Sequence, residues 1–187
     1  EKIYSCLNSI DQDIKILIIE NSNDRDFKEK IENKYSNVLC ELTGENLGYA
    51  KGNNYGLSKV KTKFALILNP DTVVEKNSLN NFFYTAQKHH DFAIIAPAVQ
   101  EQLKNTHIKI DKVTEVESVK GFALFLNLEQ FKEIGFFDEN FFIYFEEIDL
   151  CKRLKNIGKK IFIDPKIIIN HAGGSSHNIS INFEMEL

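Results

Sequence analysis

Apolar residues recur along this chain in two rhythms, short unbroken runs and spaced helical stripes. Ile3, Cys6, Leu7 and Ile10 share one helical face, so residues 1–10 read as the end of an amphipathic helix. The run Ile14-Lys15-Ile16-Leu17-Ile18-Ile19 predicts a strand that stops at the polar turn cluster Glu20-Asn21-Ser22-Asn23-Asp24. A charged, exposed helix is expected over 26–35 and a second short strand over 38–42. The stretch 46–56, rich in glycine and asparagine, reads as a loop leading into a helix. Phe64-Ala65-Leu66-Ile67-Leu68 is apolar throughout, the pattern of a central parallel strand covered on both faces. It halts at Asn69-Pro70-Asp71-Thr72.

Helical spacing returns over 79–88, and a strand follows at 93–97. Residues 99–117 are polar without a clear period and read as a loop or edge hairpin. The segment 119–126 follows, with Gly121 permitting close backbone approach, and 128–134 predicts a short helix ending at Gly135. Leu150, Leu154 and Ile157 mark a helix that starts near Glu146 and is capped by Gly158. Two short strands are expected at 160–165 and 166–170, and 171–176 closes the ordered part. Strands alternating with helices predict an α/β fold with a mostly parallel sheet, whose ligands bind beyond the carboxyl ends of the strands.

Composition narrows the class. At 187 residues the chain suits one domain, and 43% hydrophobic with 27% charged residues describes a globular protein. A formal charge of −4 leaves no basic footprint for a nucleic-acid duplex. The apolar runs are too short to span a bilayer, and no signal peptide is read at the start. Cys6, Cys40 and Cys151 are too scattered for a disulfide framework or a Cys-x-x-Cys metal site, so a reducing cytoplasm is the expected setting.

Three places carry candidate chemistry. In residues 136–154, Phe136, Phe137, Phe141, Phe142, Tyr144 and Phe145 are interleaved with Asp138, Glu139, Glu146, Glu147 and Asp149. Partial burial there would raise a carboxyl pKa toward the proton-transfer range. First-turn helical acids also simply favour the helix dipole, and Asp149 is spaced to pair with Arg153. Phe141, Phe142 and Phe145 are expected in the core, with Tyr144 either core or a platform for a ligand. The strand ends Glu20-Asn21 and Asn69-Pro70-Asp71 are the other two places. Asp71 could bind a hard cation bridging phosphates, or merely cap a turn.

Six blocks fall in a telling order: 18–22, 46–54, 68–72, 135–139, Phe142-x-Tyr144-x-Glu146-Glu147-x-Asp149-Leu150, and His171-x-Gly173-Gly174-Ser175. Over about residues 14–176 the chain thereby resembles the inverting family 2 glycosyltransferases of the GT-A fold, particularly bacterial rhamnosyltransferase-like members. The resemblance implies a UDP- or dTDP-sugar donor, Mg²⁺ or Mn²⁺, and a saccharide or lipid-linked glycan acceptor in surface polysaccharide synthesis. It implies a cytoplasmic enzyme that could sit against the inner face of the plasma membrane.

On the same grounds Glu20 would contact the nucleotide base, and Asn46, Gly48 and Asn54 would line the nucleotide side of the pocket. Asn69 stands in place of the first acid of an Asp-x-Asp-like motif. Asp71 and His171 would hold the metal. Glu147 falls at the catalytic base, one methylene longer than the usual aspartate, with Glu146 beside it. The family's first strand is expected to be missing, leaving one domain over 1–187 shortened at its start and shortened again after His171. The rival reading is a non-catalytic GT-A-like module acting by association. A nucleotidyltransferase of similar architecture fits less well, because no Gly-rich loop followed by a basic residue opens the chain.

Overall fold

The computed structural model describes residues 1–98, 111–171 and 179–185. Its centre is an eight-stranded sheet in the order β2-β1-β10-β3-β7-β5-β8-β6. The strands are β1 (Lys15–Glu20), β2 (Val38–Leu42), β3 (Phe64–Leu68), β5 (Phe92–Pro97), β6 (Thr114–Glu115), β7 (Ala123–Asn127), β8 (Lys160–Asp164) and β10 (Ile179–Met185). A separate antiparallel ladder joins β4 (Thr72–Val74) to β9 (Ile169–His171). The helices are α1 (Lys2–Asn8), α2 (Arg25–Lys34), α3 (Gly48–Lys59), α4 (Ser78–Lys88) and α5 (Glu146–Asn156).

The sheet is mixed. β1, β2, β3, β5 and β8 share one direction, as the α/β pattern predicts, yet only β1–β2 and β5–β8 pair directly in parallel. β10 lies antiparallel between β1 and β3, and β7 lies antiparallel between β3 and β5. The backbone gap expected from a missing central strand is therefore absent, because β10 supplies both ladders. β10 lies past the point where the sequence reading ended the ordered part, although residues 179–185 alternate apolar and polar.

Every residue of β3 and β7 is buried, the consequence of helices on both faces. Phe64, Leu66 and Leu68 join the core under α1, α2 and α4, while Ala65 and Ile67 join the one under α3 and α5. Phe125 anchors the first core, stacked on Phe64 and Phe92 with centroids 5.4 and 5.7 Å away. This central packing brings the ends of β1 and β3 to one edge of the sheet.

Several expected elements change. Residues 128–134 form only a 3-10 turn, Leu128–Phe131, because Gly135 closes it at φ +68. The strand expected at 166–170 starts later, at Ile169, and β4 went unread because three residues carry no period. Phe142 and Phe145 are exposed rather than in the core. Most of 99–117 and the Gly173-Gly174-Ser175 block lie outside the described residues.

The entry to α3 is closely packed. Gly48 has φ +75, and a Cβ built on it would stand 2.4 Å from the Phe142 carbonyl oxygen. Gly44 shares the left-handed conformation (φ +82) with nothing within 4 Å. Gly44→Ala should therefore cost about 1–2 kcal/mol in urea denaturation, from backbone conformation alone. Gly48→Ala should cost clearly more, and equal losses would show that the Phe142 contact carries no energy.

Candidate functional site

The edge at the carboxyl ends of β1 and β3 collects most of the candidate residues. Glu20 ends β1 with its carboxylate buried, accepting hydrogen bonds from Ser22 Oγ at 2.8 and 2.9 Å and from the Asp24 N–H at 3.2 Å. Asn21 follows and donates from Nδ2 to the Gly48 carbonyl at 2.9 Å, pinning the start of α3 to the end of β1. The Gly48 N–H donates to Asn46 Oδ1 at 2.9 Å. Glu20, Asn46 and Gly48 thus share one loop cluster. Asn54 lies further along α3, where it clamps Phe137: its Nδ2 donates to the Phe137 carbonyl at 2.9 Å and its Oδ1 accepts from the Phe137 N–H at 3.1 Å.

Beyond β3 the chain turns through Asn69-Pro70-Asp71-Thr72. The Asn69 carbonyl accepts from Thr72 N–H at 3.2 Å and Thr72 Oγ1 at 2.7 Å, and the Asn69 N–H donates to the Phe122 carbonyl at 2.9 Å. Held this way, the Asp71 side chain is only 1% exposed and meets His171 Nε2 at 3.1 Å. The β4–β9 ladder sets His171 opposite Thr72, and the His171 ring lies flat on Phe122, with centroids 4.8 Å apart at 7°. The two residues predicted to hold a metal are in contact.

Their donor set fits a hard cation. A carboxylate oxygen and an imidazole nitrogen 3.1 Å apart match adjacent corners of an octahedron, which lie about 3 Å apart for ligands at about 2.1 Å. Among the described residues no group of three or more His, Cys, Asp or Glu forms a closed cage. Asp71 and His171 would leave the other positions to a ligand's oxygens or to water.

The acid pair opens α5. Glu146 is 5% exposed, and its Oε2 has no hydrogen-bond partner among the described residues. Burial pushes its carboxyl pKa upward, and the neighbouring charge of Glu147 adds to the rise. Glu147 is half-buried, with its Cβ 3.5 Å from where a Cβ on Gly121 would stand. Tyr49 donates from its hydroxyl to the Gly121 carbonyl, and burial with the charges of both glutamates pushes its phenol upward, so it stays a donor. Asp149 pairs with Arg153 Nε at 2.6 Å, as its spacing predicts.

Gly121 and Phe122 join the halves, one meeting Tyr49 and Glu147, the other Asn69 and His171. The sequence reading noted Gly121 for close approach but missed Phe122, which reads as one more residue of an apolar run. Cys6 lies under the Asp71 turn, 3.5 Å from Thr72 Oγ1. All three cysteines are free and buried, and burial pushes their thiols up to about 11 for Cys6 and Cys151 and about 12 for Cys40.

The sequence profile of Glycosyl transferase family 2 matches residues 1–151. This chain belongs to glycosyl transferase family 2. It is 23% identical to the low-salt glycan biosynthesis hexosyltransferase Agl10 of Haloferax volcanii, over 88% of this chain and 61% of that protein. It is also 23% identical to the rhamnosyltransferase WbbL of Escherichia coli strain K12, over 98% of this chain and 81% of WbbL. Solved GT-A glycosyltransferases share the fold. The mannosyltransferase PcManGT of Pyrobaculum calidifontis, in complex with GDP-Man and Mn²⁺, superimposes with TM-score 0.74 at 11% identity, over 94% of this chain and 55% of its own. GalNAc-T7 with UDP, GalNAc and Mn²⁺ gives 0.72 at 14% identity, over 90% and 40%. S. aureus TarS 1–349 with UDP-GlcNAc gives 0.69 at 17% identity, over 93% and 56%. This family 2 chain therefore spans about half the length of those solved proteins. Among its described residues no helix is long and apolar enough to cross a membrane.

The raised Glu146 carboxyl makes a stability prediction with a definite sign. The folded state holds this proton more tightly than the unfolded state, so stability is lost as pH rises from about 4.5 through the folded pKa. Glu146→Gln should raise the urea midpoint at pH 7 and change it little at pH 4. A lower midpoint at pH 7 would mean that the Glu146 charge is paired.

Proposed function

We propose that this chain is an inverting glycosyltransferase domain spanning 1–187. It moves a hexose from a UDP- or dTDP-sugar to a saccharide or lipid-linked glycan acceptor, at the cytoplasmic face of a bacterial membrane. The observation that carries this reading is the pairing of two centres across Gly121 and Phe122: Asp71 with His171, and Glu146 with Glu147. One suits a diphosphate and its cation, the other a proton.

Placement supports each role. Glu20 and the Asn46–Gly48 loop hold the nucleoside. Glu20 accepts one hydroxyl hydrogen bond from Ser22, shared between its two oxygens, and one from the Asp24 N–H, which leaves acceptor capacity for a base N–H. Asn69 shapes the turn that sets Asp71. Asp71 and His171 hold Mg²⁺ or Mn²⁺, the ion named in the PcManGT and GalNAc-T7 structures. A divalent cation there offsets the charge that develops on the departing diphosphate.

Glu147 accepts the proton of the acceptor hydroxyl as that oxygen bonds to the sugar's C1. The bond from C1 to the phosphate oxygen breaks on the opposite face, the nucleoside diphosphate leaves, and the configuration inverts. Two adjacent carboxylates do not ionise equally. Burial raises the pKa of the Glu146 carboxyl, and the less buried Glu147 is the one open to the acceptor.

Calorimetric titration with UDP and dTDP, with and without Mn²⁺, tests the donor site. Binding should require Mn²⁺ and be abolished by Asp71→Ala. Glu147→Gln should bind nucleotide like the wild type while transfer falls about 10²–10⁴-fold, the usual contribution of a general base. Wild-type-like turnover in Glu147→Gln removes that residue from the base role. If neither nucleotide binds, the non-catalytic association module becomes the better reading.

A further inference from the structure

The segment just before the acid pair is the most exposed apolar stretch among the described residues. Phe142 is 57% exposed, Tyr144 65% and Phe145 66%, with Ile143 and Ile148 also exposed. Rings so open contribute little to the core, and an apolar patch of this size beside a polar site marks a surface that meets a ligand or partner.

The backbone here is also strained. Tyr144 and Phe145 both have φ 71, a conformation that bulky L residues rarely adopt. Among the described residues the other non-glycine residue with positive φ is Asn77, a type that tolerates it. The loop is clamped on both sides of the strain. The Phe142 carbonyl accepts from the Tyr49 N–H at 2.8 Å, and the Phe145 carbonyl accepts from the Asp149 N–H at 3.0 Å. The fold thus holds two consecutive aromatic residues in an unfavourable conformation that leaves their rings in solvent, directly before Glu146 and Glu147.

Charge selects the occupant. Asp138, Glu139, Glu147 and Asp149 flank the rings in sequence. Arg153 is committed to Asp149 and to the Ile134 and Phe136 carbonyls. Such a surface repels an anionic bilayer or an acidic sugar. It suits a neutral pyranose, whose C–H face stacks on an aromatic ring while its hydroxyls donate to carboxylates.

We propose that Tyr144 and Phe145 form the acceptor subsite, stacking the neutral pyranose whose hydroxyl Glu147 deprotonates. This rests on the glycosyl-transfer reading above and adds the chemical class of the acceptor's terminal sugar.

The test is saturation-transfer NMR of the full chain, with Mn²⁺ and UDP present, against methyl glycosides of glucose, galactose, mannose, N-acetylglucosamine, rhamnose and glucuronic acid. At least one neutral glycoside should bind, and the glucuronide should bind more weakly than the glucoside. Tyr144→Leu and Phe145→Leu should each weaken the neutral ligand about tenfold, the cost of a lost stacking contact, while Tyr144→Phe should stay within about twofold. Thermal melts check that each variant is folded, and Phe145→Gly, which relieves the strained backbone, replaces any that is not. The proposal is overturned if no neutral glycoside binds, if binding ignores the rings, or if the glucuronide is preferred. It is equally overturned if the rings instead drive cosedimentation with phosphatidylcholine–phosphatidylglycerol vesicles. Titration of the wild type with UDP and Mn²⁺ reports separately on the donor reading. Its failure beside ring-dependent glycoside binding would strike that reading and not this subsite.

Discussion

Two successive backbone carbonyls hold the site together. The Gly121 oxygen accepts from the Tyr49 hydroxyl, and the Phe122 oxygen accepts from the Asn69 N–H. This dipeptide forms the turn that enters β7, and it reaches toward α3 with one carbonyl and toward the end of β3 with the next. The acids of α5 pack on the first side and the Asp71–His171 pair on the second. The two sides meet at close range here: a Cβ on Gly121 would stand in ordinary contact with Tyr49 Oη at 3.4 Å and Glu147 Cβ at 3.5 Å. The spacing between the Glu147 carboxylate and the Asp71–His171 pair is thus set by main chain, which varies less than side-chain rotamers.

Among the described residues four carboxylates are buried along this edge, and each meets the cost of leaving water differently. Glu20 is satisfied by its own loop, through Ser22 and Asp24. Asp164 accepts from Thr85 Oγ1 at 2.6 Å and from the Lys166 N–H at 2.9 Å, which makes it a structural clasp at the end of β8. Asp71 meets an imidazole. Glu146 keeps an oxygen with no partner among the described residues and a carboxyl that resists ionisation. The gradient runs from Asp164, held by two donors, to Glu146, desolvated beside the aromatic loop.

Elements with strong local signals were legible in the sequence. The unbroken run of β3, the Asp149–Arg153 spacing and the Gly158 cap of α5 all appear where the pattern places them, because each depends on residues within one or two turns. The ladder of β4 and β9 was not legible, since three-residue strands exist only through their partner, and that partner lies about a hundred positions away. β10 had a readable alternation, but nothing local indicates that it fills the slot between β1 and β3. The exposure of Phe142 and Phe145 ran against their hydrophobicity, which reports what a side chain prefers and not what the fold imposes. Asn54 stood within a recognisable motif, yet the structure engages it with the Phe137 backbone. Proximity in sequence located the neighbourhood, and tertiary contact assigned each group its partner.

The position of β10 also has a kinetic side. Lys15 pairs with Glu184, so the ladder bridging β1 to the rest of the sheet joins segments from opposite ends of the described chain. Non-local pairing of this kind carries a large loop-closure cost before it returns any stabilisation, and it slows folding. During synthesis β1 and β2 can associate early, and β3, β7, β5 and β8 can assemble as a second unit. In this chain the two are zipped into one sheet only through β10. Without it β1 and β3 would each present an unpaired central edge, the kind of surface that recruits stray strands. Pairing of β10 is thus the step that brings the strand ends leading to Glu20 and Asp71 into register.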